Sequence, residues 1–222
     1  MKRIHIILLS LIVFFFSCSE DTTLYEPQNK ENVIVDNTQN EDKDEEEELP
    51  EGQLLPGMHI VKLNVTEPDG QIAERRFKYY MPIAAHGNPS LIFEFHGSYE
   101  FVKSGATPDP LKDFTISNAL VQLAIQENCI ICVPVGLIPE TDRDTAYINW
   151  TESGKHLPFF DAMVDYFKGC SPTIDENRIF STGQSSGAIF SWVLAFERPD
   201  VVASIAPRAG QMNTDNQTNF PA

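Results

Sequence analysis

One serine in this sequence lies in a setting that favours nucleophilic chemistry. Ser185 is the central residue of segment 183–187, whose pattern is glycine, any residue, serine, any residue, glycine. A predicted strand, 178–182, precedes this segment and a helical pattern, 186–197, follows it, so the segment is predicted to form a tight turn between a strand and a helix. Such a turn raises the serine hydroxyl above the end of the sheet, where it can attack a carbonyl carbon. We therefore expect Ser185 to be a catalytic nucleophile.

Two sets of backbone amides are expected to stabilise negative charge near Ser185. The helix that begins at Ser186 directs its free amides and the positive end of its dipole at this point, so Ser186 is predicted to contribute its amide. A second donor is expected from the loop after an earlier strand, where Gly97 lets the backbone come close and Ser98 follows it. His96 in this loop is a candidate base, but we favour a structural role in which its ring braces the loop.

The rest of the folded part is predicted to alternate strands with helices. A hairpin is expected first, with strands near 59–65 and 75–81 joined by a Pro-Asp-Gly turn. The later predicted elements are strand 91–95, helix 116–127, strand 129–135, a helix from about 158 to 167 opened by Pro158, strand 178–182, helix 186–197 and strand 202–206. These later strands are apolar without alternation, which is typical of a mainly parallel sheet covered by helices on both faces. The expected fold class is α/β, in one domain that covers residues 57–222.

The first eighteen residues are predicted to be a signal peptide. Lys2 and Arg3 are followed by the apolar run 6–16, which is too short to cross a bilayer core of about 30 Å. The segment 15–18 resembles a bacterial lipobox, so Cys18 is expected to be acylated and to anchor the protein to a membrane. An ordinary cleaved signal peptide with an incidental cysteine is the alternative. The acidic residues after Cys18 resemble those of surface-exported lipoproteins of the Bacteroidetes, so we expect an outer-membrane lipoprotein of the cell envelope, surface-exposed or extracellular.

Residues 19–56 are expected to form an acidic, disordered linker. The whole chain has 222 residues and a formal net charge of -16, and the stretch from Ser19 to Gly52 holds thirteen acidic residues against two lysines. Binding of nucleic acid requires clustered lysine and arginine, and this sequence has no such cluster. Nucleic acid is therefore not an expected partner.

The cysteines after Cys18 indicate neither a metal site nor a cofactor site. Cys129 and Cys132 lie in an apolar predicted strand, where residues three apart face opposite sides, so both are expected to be buried thiols. No second pair of cysteines and no neighbouring histidine completes a zinc site. A disulfide from Cys170 to either of them stays open, because export permits one.

The order of motifs between about residues 75 and 210 resembles one group of secreted esterases. The group contains poly(3-hydroxybutyrate) depolymerases, feruloyl esterases and acetylxylan esterases of carbohydrate esterase family one. The matching segments are 76–82, 91–97, 148–150, 175–187 and 199–210. The resemblance implies an α/β-hydrolase fold and hydrolysis of a polyester or a plant-glycan ester through an acyl-enzyme. Ala188 replaces a further glycine that the group usually has.

The acid and the base that activate the serine are not identified in the sequence. In this fold they follow the serine, whereas all 5 histidines precede Ser185. We therefore expect the catalytic Asp and His beyond residue 222, a fold that is incomplete at its C-terminus, and an inactive chain. Two alternatives stay open. One is a serine peptidase of the same fold. The other is a non-catalytic lipoprotein that binds glycan or polymer through aromatic residues, although core packing explains most of these: Tyr99, Phe101, Tyr147 and Trp150.

Overall fold

The computed structural model describes residues 49–100, 116–137, 147–151 and 153–212, without the side chains of Tyr99, Glu100, Tyr147 and Ser153. The predicted signal peptide with Cys18, most of the predicted linker, and Phe101 lie outside the described residues. No helix in the described part of the chain is long and apolar enough to span a membrane.

The described residues form eight strands and three helices. The strands are β1 (Gly57–Thr66), β2 (Ile72–Met81), β3 (Ser90–Phe95), β4 (Tyr99–Glu100), β5 (Cys129–Pro134), β6 (Tyr147–Ile148), β7 (Ile179–Gln184) and β8 (Ser204–Arg208). The helices are α1 (Asn118–Glu127), α2 (Ser153–Gly169) and α3 (Ser186–Glu197).

Six of these strands form one mixed sheet in the order β1-β2-β5-β3-β7-β8. β1 pairs antiparallel with β2, as the hairpin prediction requires, and β2 pairs antiparallel with β5. The pairs β5-β3, β3-β7 and β7-β8 are parallel. β4 and β6 form a separate two-stranded sheet that the sequence did not predict. Because β3, β7 and β8 are parallel neighbours, their carboxyl ends meet at one edge of the sheet, which is where ligands bind in open α/β sheets.

Local signals explain two of the boundaries. In the β1-β2 turn, the Asp69 carboxylate accepts a hydrogen bond from the Gln71 amide at 2.9 Å, and Gly70 has a φ of 83° that favours glycine. At the start of α1, the Ser117 hydroxyl accepts a bond from the Leu120 amide and caps the helix. Both signals join residues two or three positions apart. The turn was predicted from the Pro-Asp-Gly sequence, whereas the Ser117 cap was not.

The helices cover both faces of the sheet. α1 packs on one face, where Ile116 and Ala124 meet alternate residues of β5. α2 and α3 pack on the other face over a core rich in phenylalanine. In that core the ring of Phe95, the last residue of β3, lies 4.9 Å from the ring of Trp150 and 5.0 Å from that of Phe190 in α3. The end of β3 and the start of α3 therefore rest on the same aromatic layer.

The cysteines behave as the strand pattern predicts. Cys129 packs in the cluster under α1, whereas Cys132 packs in the opposite core. Both are buried free thiols, as is Cys170. Burial raises the pKa of the Cys129 thiol to about 11 and also raises that of Cys132. Their prediction as buried thiols is confirmed.

Two predicted element boundaries are wrong. α2 begins at Ser153 and not at Pro158, which lies inside the helix and removes one amide hydrogen bond there. β8 begins at Ser204 and not at residue 202. The Val202 amide bonds back to the Arg198 carbonyl at 2.9 Å, so Val202 belongs to the turn that follows α3.

The folded domain also begins earlier than the predicted end of the linker at residue 56. Leu54 is buried, and its amide bonds to the Ser171 carbonyl at 2.9 Å. The next amide, that of Leu55, donates to the Tyr79 hydroxyl at 3.1 Å. The free energy gained by burying the Leu54 side chain offsets the entropy lost when this short segment becomes ordered.

Candidate active site

Ser185 lies at the turn between β7 and α3, and its side chain is exposed. Its backbone has a φ of 52° and a ψ of -115°, a conformation that costs a non-glycine residue about 1–3 kcal/mol. Two bonds hold it there. The Ser185 amide donates to the Arg208 carbonyl of β8 at 3.0 Å, and the Ser185 carbonyl accepts from the Ile189 amide at 3.1 Å. Its hydroxyl does not cap α3, so the side chain is not used to begin the helix.

The two glycines of the pentapeptide are required by close backbone approach. A Cβ atom on Gly183 would lie 2.6 Å from the Gly187 carbonyl carbon and 2.7 Å from the Phe95 oxygen. A Cβ atom on Gly187 would lie 2.2 Å from the Phe95 oxygen and 2.6 Å from the His96 oxygen. Real Cβ atoms essentially never approach other atoms this closely. The turn therefore presses directly against the end of β3.

A buried chain of hydroxyl groups ties β7 to α3 beneath the turn. The Ser181 hydroxyl donates to the Ser191 hydroxyl at 2.8 Å, and the Ser191 hydroxyl donates to the Gly187 carbonyl at 3.1 Å. Because both side chains are buried, these bonds are shielded from water. They fix the start of α3 relative to the sheet.

Ser186 is the first residue of α3, so its amide has no partner within the helix. The free amides and the positive end of the helix dipole favour negative charge at this point. The Ser186 hydroxyl is buried and has no hydrogen-bond partner among the described residues. Its backbone rather than its side chain is thus the group suited to act at the turn.

The loop after β3 lies against the same turn. A Cβ atom on Gly97 would lie 3.6 Å from Ser185 Cβ and 3.5 Å from the Gln184 carbonyl oxygen. Ser98 follows Gly97 and is exposed. Ser185, Ser186, Gly97 and Ser98, the predicted site residues, are therefore brought together from two separate parts of the sequence.

His96 braces this loop, and the structural role favoured for it is confirmed. Nδ1 of the ring lies 2.6 Å from the Gly97 carbonyl oxygen, and Nε2 accepts a bond from the Gly136 amide at 2.9 Å. The ring is buried, and this burial lowers the pKa of His96 to about 4, against a smaller opposite effect of the bond to Gly97. His96 is therefore a neutral structural group at neutral pH.

His156 is held in a second buried network. Its Nδ1 lies 3.2 Å from Nη2 of Arg75, and Arg75 forms an ion pair with Glu67 at 3.0 Å. Burial, and next the charge of Arg75, lower the pKa of His156 to about 3. The ring packs at a tilt against that of Trp150, with 4.8 Å between the ring centroids, and Trp150 is itself only 1% exposed. Trp150 is thus a core residue, as the core-packing explanation of these aromatic residues expects, and it does not line an exposed binding surface.

No described histidine is arranged as a base for Ser185. His59 bonds to the Pro56 carbonyl and is half-buried, and His86 bonds to the Ala84 carbonyl and is exposed. His96 and His156 make the bonds given above. The described residues also contain no group of three or more His, Cys, Asp or Glu residues that could hold a metal ion.

Arg208 is a site residue that the sequence did not predict. Its carbonyl accepts a hydrogen bond from the Ser185 amide, and its guanidinium forms an ion pair with the Glu94 carboxylate. Burial raises the pKa of Glu94, and the charge of Arg208 opposes this shift. The pair joins β3 to β8 across β7. A parallel register between strands that are far apart in the sequence creates it, so no local signal could have revealed it.

Comparison of the fold with solved structures found similar hydrolases. The chain is similar to an acetyl xylan esterase from Aspergillus awamori, with a TM-score of 0.51 and 18% identity over 72% of this chain. A ferulic acid esterase gives a TM-score of 0.49 with 14% identity over 75% of this chain and 63% of its own length. A post-proline cleaving enzyme from Rickettsia typhi gives 0.47 with 13% identity over 74% and 23%.

The comparison with the acetyl xylan esterase defines the class of fold. The chain has the α/β-hydrolase fold, which confirms the predicted fold class, and its resemblance to acetylxylan esterases is confirmed at the level of fold. The chain spans 56% of the length of the acetyl xylan esterase. No protein-family model and no curated protein matches the sequence.

Proposed function

We propose that this protein is a carboxylic ester hydrolase in which Ser185 forms an acyl-enzyme. The observation that supports this most strongly is the contact between two separate segments, with a Gly97 Cβ position 3.6 Å from Ser185 Cβ. An exposed hydroxyl, a helix N-terminus and a close backbone loop then surround the same point. That combination is suited to attack on a carbonyl group and to stabilisation of the oxyanion that forms.

The proposed reaction has two steps. The Ser185 oxygen attacks the carbonyl carbon of the ester, and its proton passes to a general base. The oxyanion is held by the amide of Ser186 and by the Gly97-Ser98 loop, and the alcohol leaves with the proton. Water then attacks the acyl-enzyme, which releases the carboxylic acid and restores the hydroxyl. Because the described histidines make other bonds, the base in this proposal is a histidine outside the described residues, oriented by a carboxylate.

The proposed substrate is a polyester or a plant-glycan ester, met outside the cytoplasm. The segments that resemble poly(3-hydroxybutyrate) depolymerases, feruloyl esterases and acetylxylan esterases support this choice. The lipobox-like segment supports attachment to a membrane through Cys18, with the acidic linker as a tether. Metabolic labelling with radioactive palmitate is expected to mark the wild type and not Cys18→Ala. Equal labelling of the two would contradict the anchor.

The test of the activity uses the whole protein as its gene encodes it. p-Nitrophenyl acetate, methyl ferulate and acetylated xylan are the substrates, and a peptide anilide is included. We expect ester hydrolysis in the wild type and a loss of at least about 10³-fold in Ser185→Ala. Ser204→Ala, which changes an exposed serine of β8, is the matched control and should keep full activity. Undiminished ester hydrolysis by Ser185→Ala would contradict the proposal, and cleavage of the anilide alone would favour a peptidase.

A further inference from the structure

The ring of His96 is fixed by two backbone groups from different loops. The Gly136 amide donates to Nε2 at 2.9 Å, so Nε2 carries no proton. In the neutral ring the proton must then be on Nδ1, which donates it to the Gly97 carbonyl at 2.6 Å. One tautomer therefore satisfies both bonds at once, and the other tautomer would lose both.

The bond to Gly97 also sets the direction of the next amide. The peptide between Gly97 and Ser98 is trans, and in a trans peptide the C=O and the N–H point in opposite directions. Because the Gly97 carbonyl points at the buried ring, the Ser98 amide points away from it. The same loop contacts Ser185 at Gly97. Rotation of this one peptide plane would turn the Ser98 amide inward.

The Gly136 side of the ring is itself rigid. A Cβ atom on Gly136 would lie 2.6 Å from the Asn149 carbonyl oxygen, and the Asn149 amide bonds to the Leu137 carbonyl at 3.1 Å. The His96 ring also packs 5.1 Å from the ring of Trp150. The ring is thus held by the loop after β5 and by the segment that contains Trp150.

We infer that His96 is a positioning residue that holds the Ser98 amide as an oxyanion donor, by fixing the plane of the Gly97-Ser98 peptide through its Nδ1 proton. This inference rests on the proposed function. In this role the two ring nitrogens have separate tasks, which a purely structural contact with the loop would not require. Nδ1 orients the donor, and Nε2 orients the ring. The lowered pKa of His96 keeps the required neutral tautomer in place at neutral pH.

Two amide substitutions separate these tasks in the whole protein. In His96→Asn the side-chain amide takes the position of Nδ1 and can still donate to the Gly97 carbonyl. In His96→Gln it takes the position of Nε2 and can accept only from Gly136. Loss of one oxyanion donor costs about 10²–10³ in kcat. We expect His96→Gln to lose about 10²-fold in kcat at little change in KM, and His96→Asn to lose about tenfold or less.

The outcomes distinguish this inference from the proposed function. If wild type hydrolyses esters and Ser185→Ala does not, the proposed function stands. Equal kcat in His96→Gln and wild type would then overturn the positioning role, and so would equal losses in both His96 variants that follow the folded fraction measured by circular dichroism. If the wild type shows no esterase activity, both fail.

A nitrogen-15 NMR spectrum of the histidine rings gives a readout that does not depend on activity. We expect the ring of His96 to carry its proton on Nδ1, with Nε2 unprotonated, in wild type and in Ser185→Ala. A proton on Nε2 of His96 would overturn the inference, whatever the kinetics show.

Discussion

Substitution of Gly187 by alanine tests whether the turn at Ser185 presses against the end of β3. Gly187 is the second residue of α3, so alanine should favour the helix by about 1 kcal/mol. The added Cβ would however lie 2.2 Å from the Phe95 oxygen, and ordinary van der Waals contact begins at 3.4 Å. The distance from this Cβ to the Phe95 oxygen must therefore increase by more than an ångström. Because the oxygen belongs to the backbone, β3 or α3 itself has to move.

The magnitude follows from these two opposing effects. Overpacking costs about 1–3 kcal/mol or more, and the upper end of this range applies because the added Cβ meets backbone atoms. Less the helix gain, a net destabilisation of about 2 kcal/mol is expected for Gly187→Ala. Gly154 is the matched control. It is the second residue of α2, it is exposed, and an added Cβ would meet nothing within 4 Å. Gly154→Ala should therefore stabilise the domain by about 0.5–1 kcal/mol.

Equilibrium unfolding in urea, followed by circular dichroism, measures the difference. A gap of about 3 kcal/mol between the two variants corresponds to about 1–2 M in the urea midpoint, for an m value of about 2 kcal/mol/M. Gly187→Ala should unfold at the lower concentration. If it unfolds at the same midpoint as Gly154→Ala, or above it, the close approach of α3 to β3 is refuted.

Three further substitutions or conditions have expected outcomes in the same unfolding assay. Ser185→Gly should be about 1 kcal/mol more stable than Ser185→Ala, because glycine adopts a φ of 52° without strain; equal stabilities would contradict the strain. Arg75→Ala should cost about 3–5 kcal/mol because it leaves a buried carboxylate unpaired. Arg76→Ala removes only an exposed pair, should cost less than about 1 kcal/mol, and serves as its control. The pKa values of His96 and His156 are lowered to about 4 and about 3, whereas both rings take up protons near 6.5 in the unfolded chain. Stability should therefore be full above pH 6.5 and fall as pH drops towards 4, by about 2 kcal/mol per histidine at pH 5. His96→Gln should weaken this dependence, and an unchanged dependence would contradict the burial of the ring.

Local patterns were enough to predict the turn at Ser185. The serine lies between two glycines, with a predicted strand before them and a predicted helix after them. Close approach of the backbone is the physical reason for both glycines. The placement of Gly97 was also predictable, because parallel strands bring their carboxyl ends to one edge. The opposite faces of Cys129 and Cys132 followed from the alternation of a strand.

Contacts between distant segments were not predictable. The bond from Gly136 to His96 joins residues that are 40 positions apart, and the bond from Ser185 to Arg208 depends on strand register. Burial of Leu54 was missed because Leu49, Leu54 and Leu55, which follow the acidic residues of the linker, show neither helical nor strand periodicity. In each case tertiary packing decides the structure, and no sequence window contains both partners.

Covalent labelling tests the central claim, that Ser185 is an activated nucleophile. The whole protein is treated with a fluorophosphonate probe, digested, and the modified peptide is mapped by mass spectrometry. We predict one adduct on the Ser185 oxygen and none in Ser185→Ala. An adduct on another serine, or labelling that persists in Ser185→Ala, would contradict it.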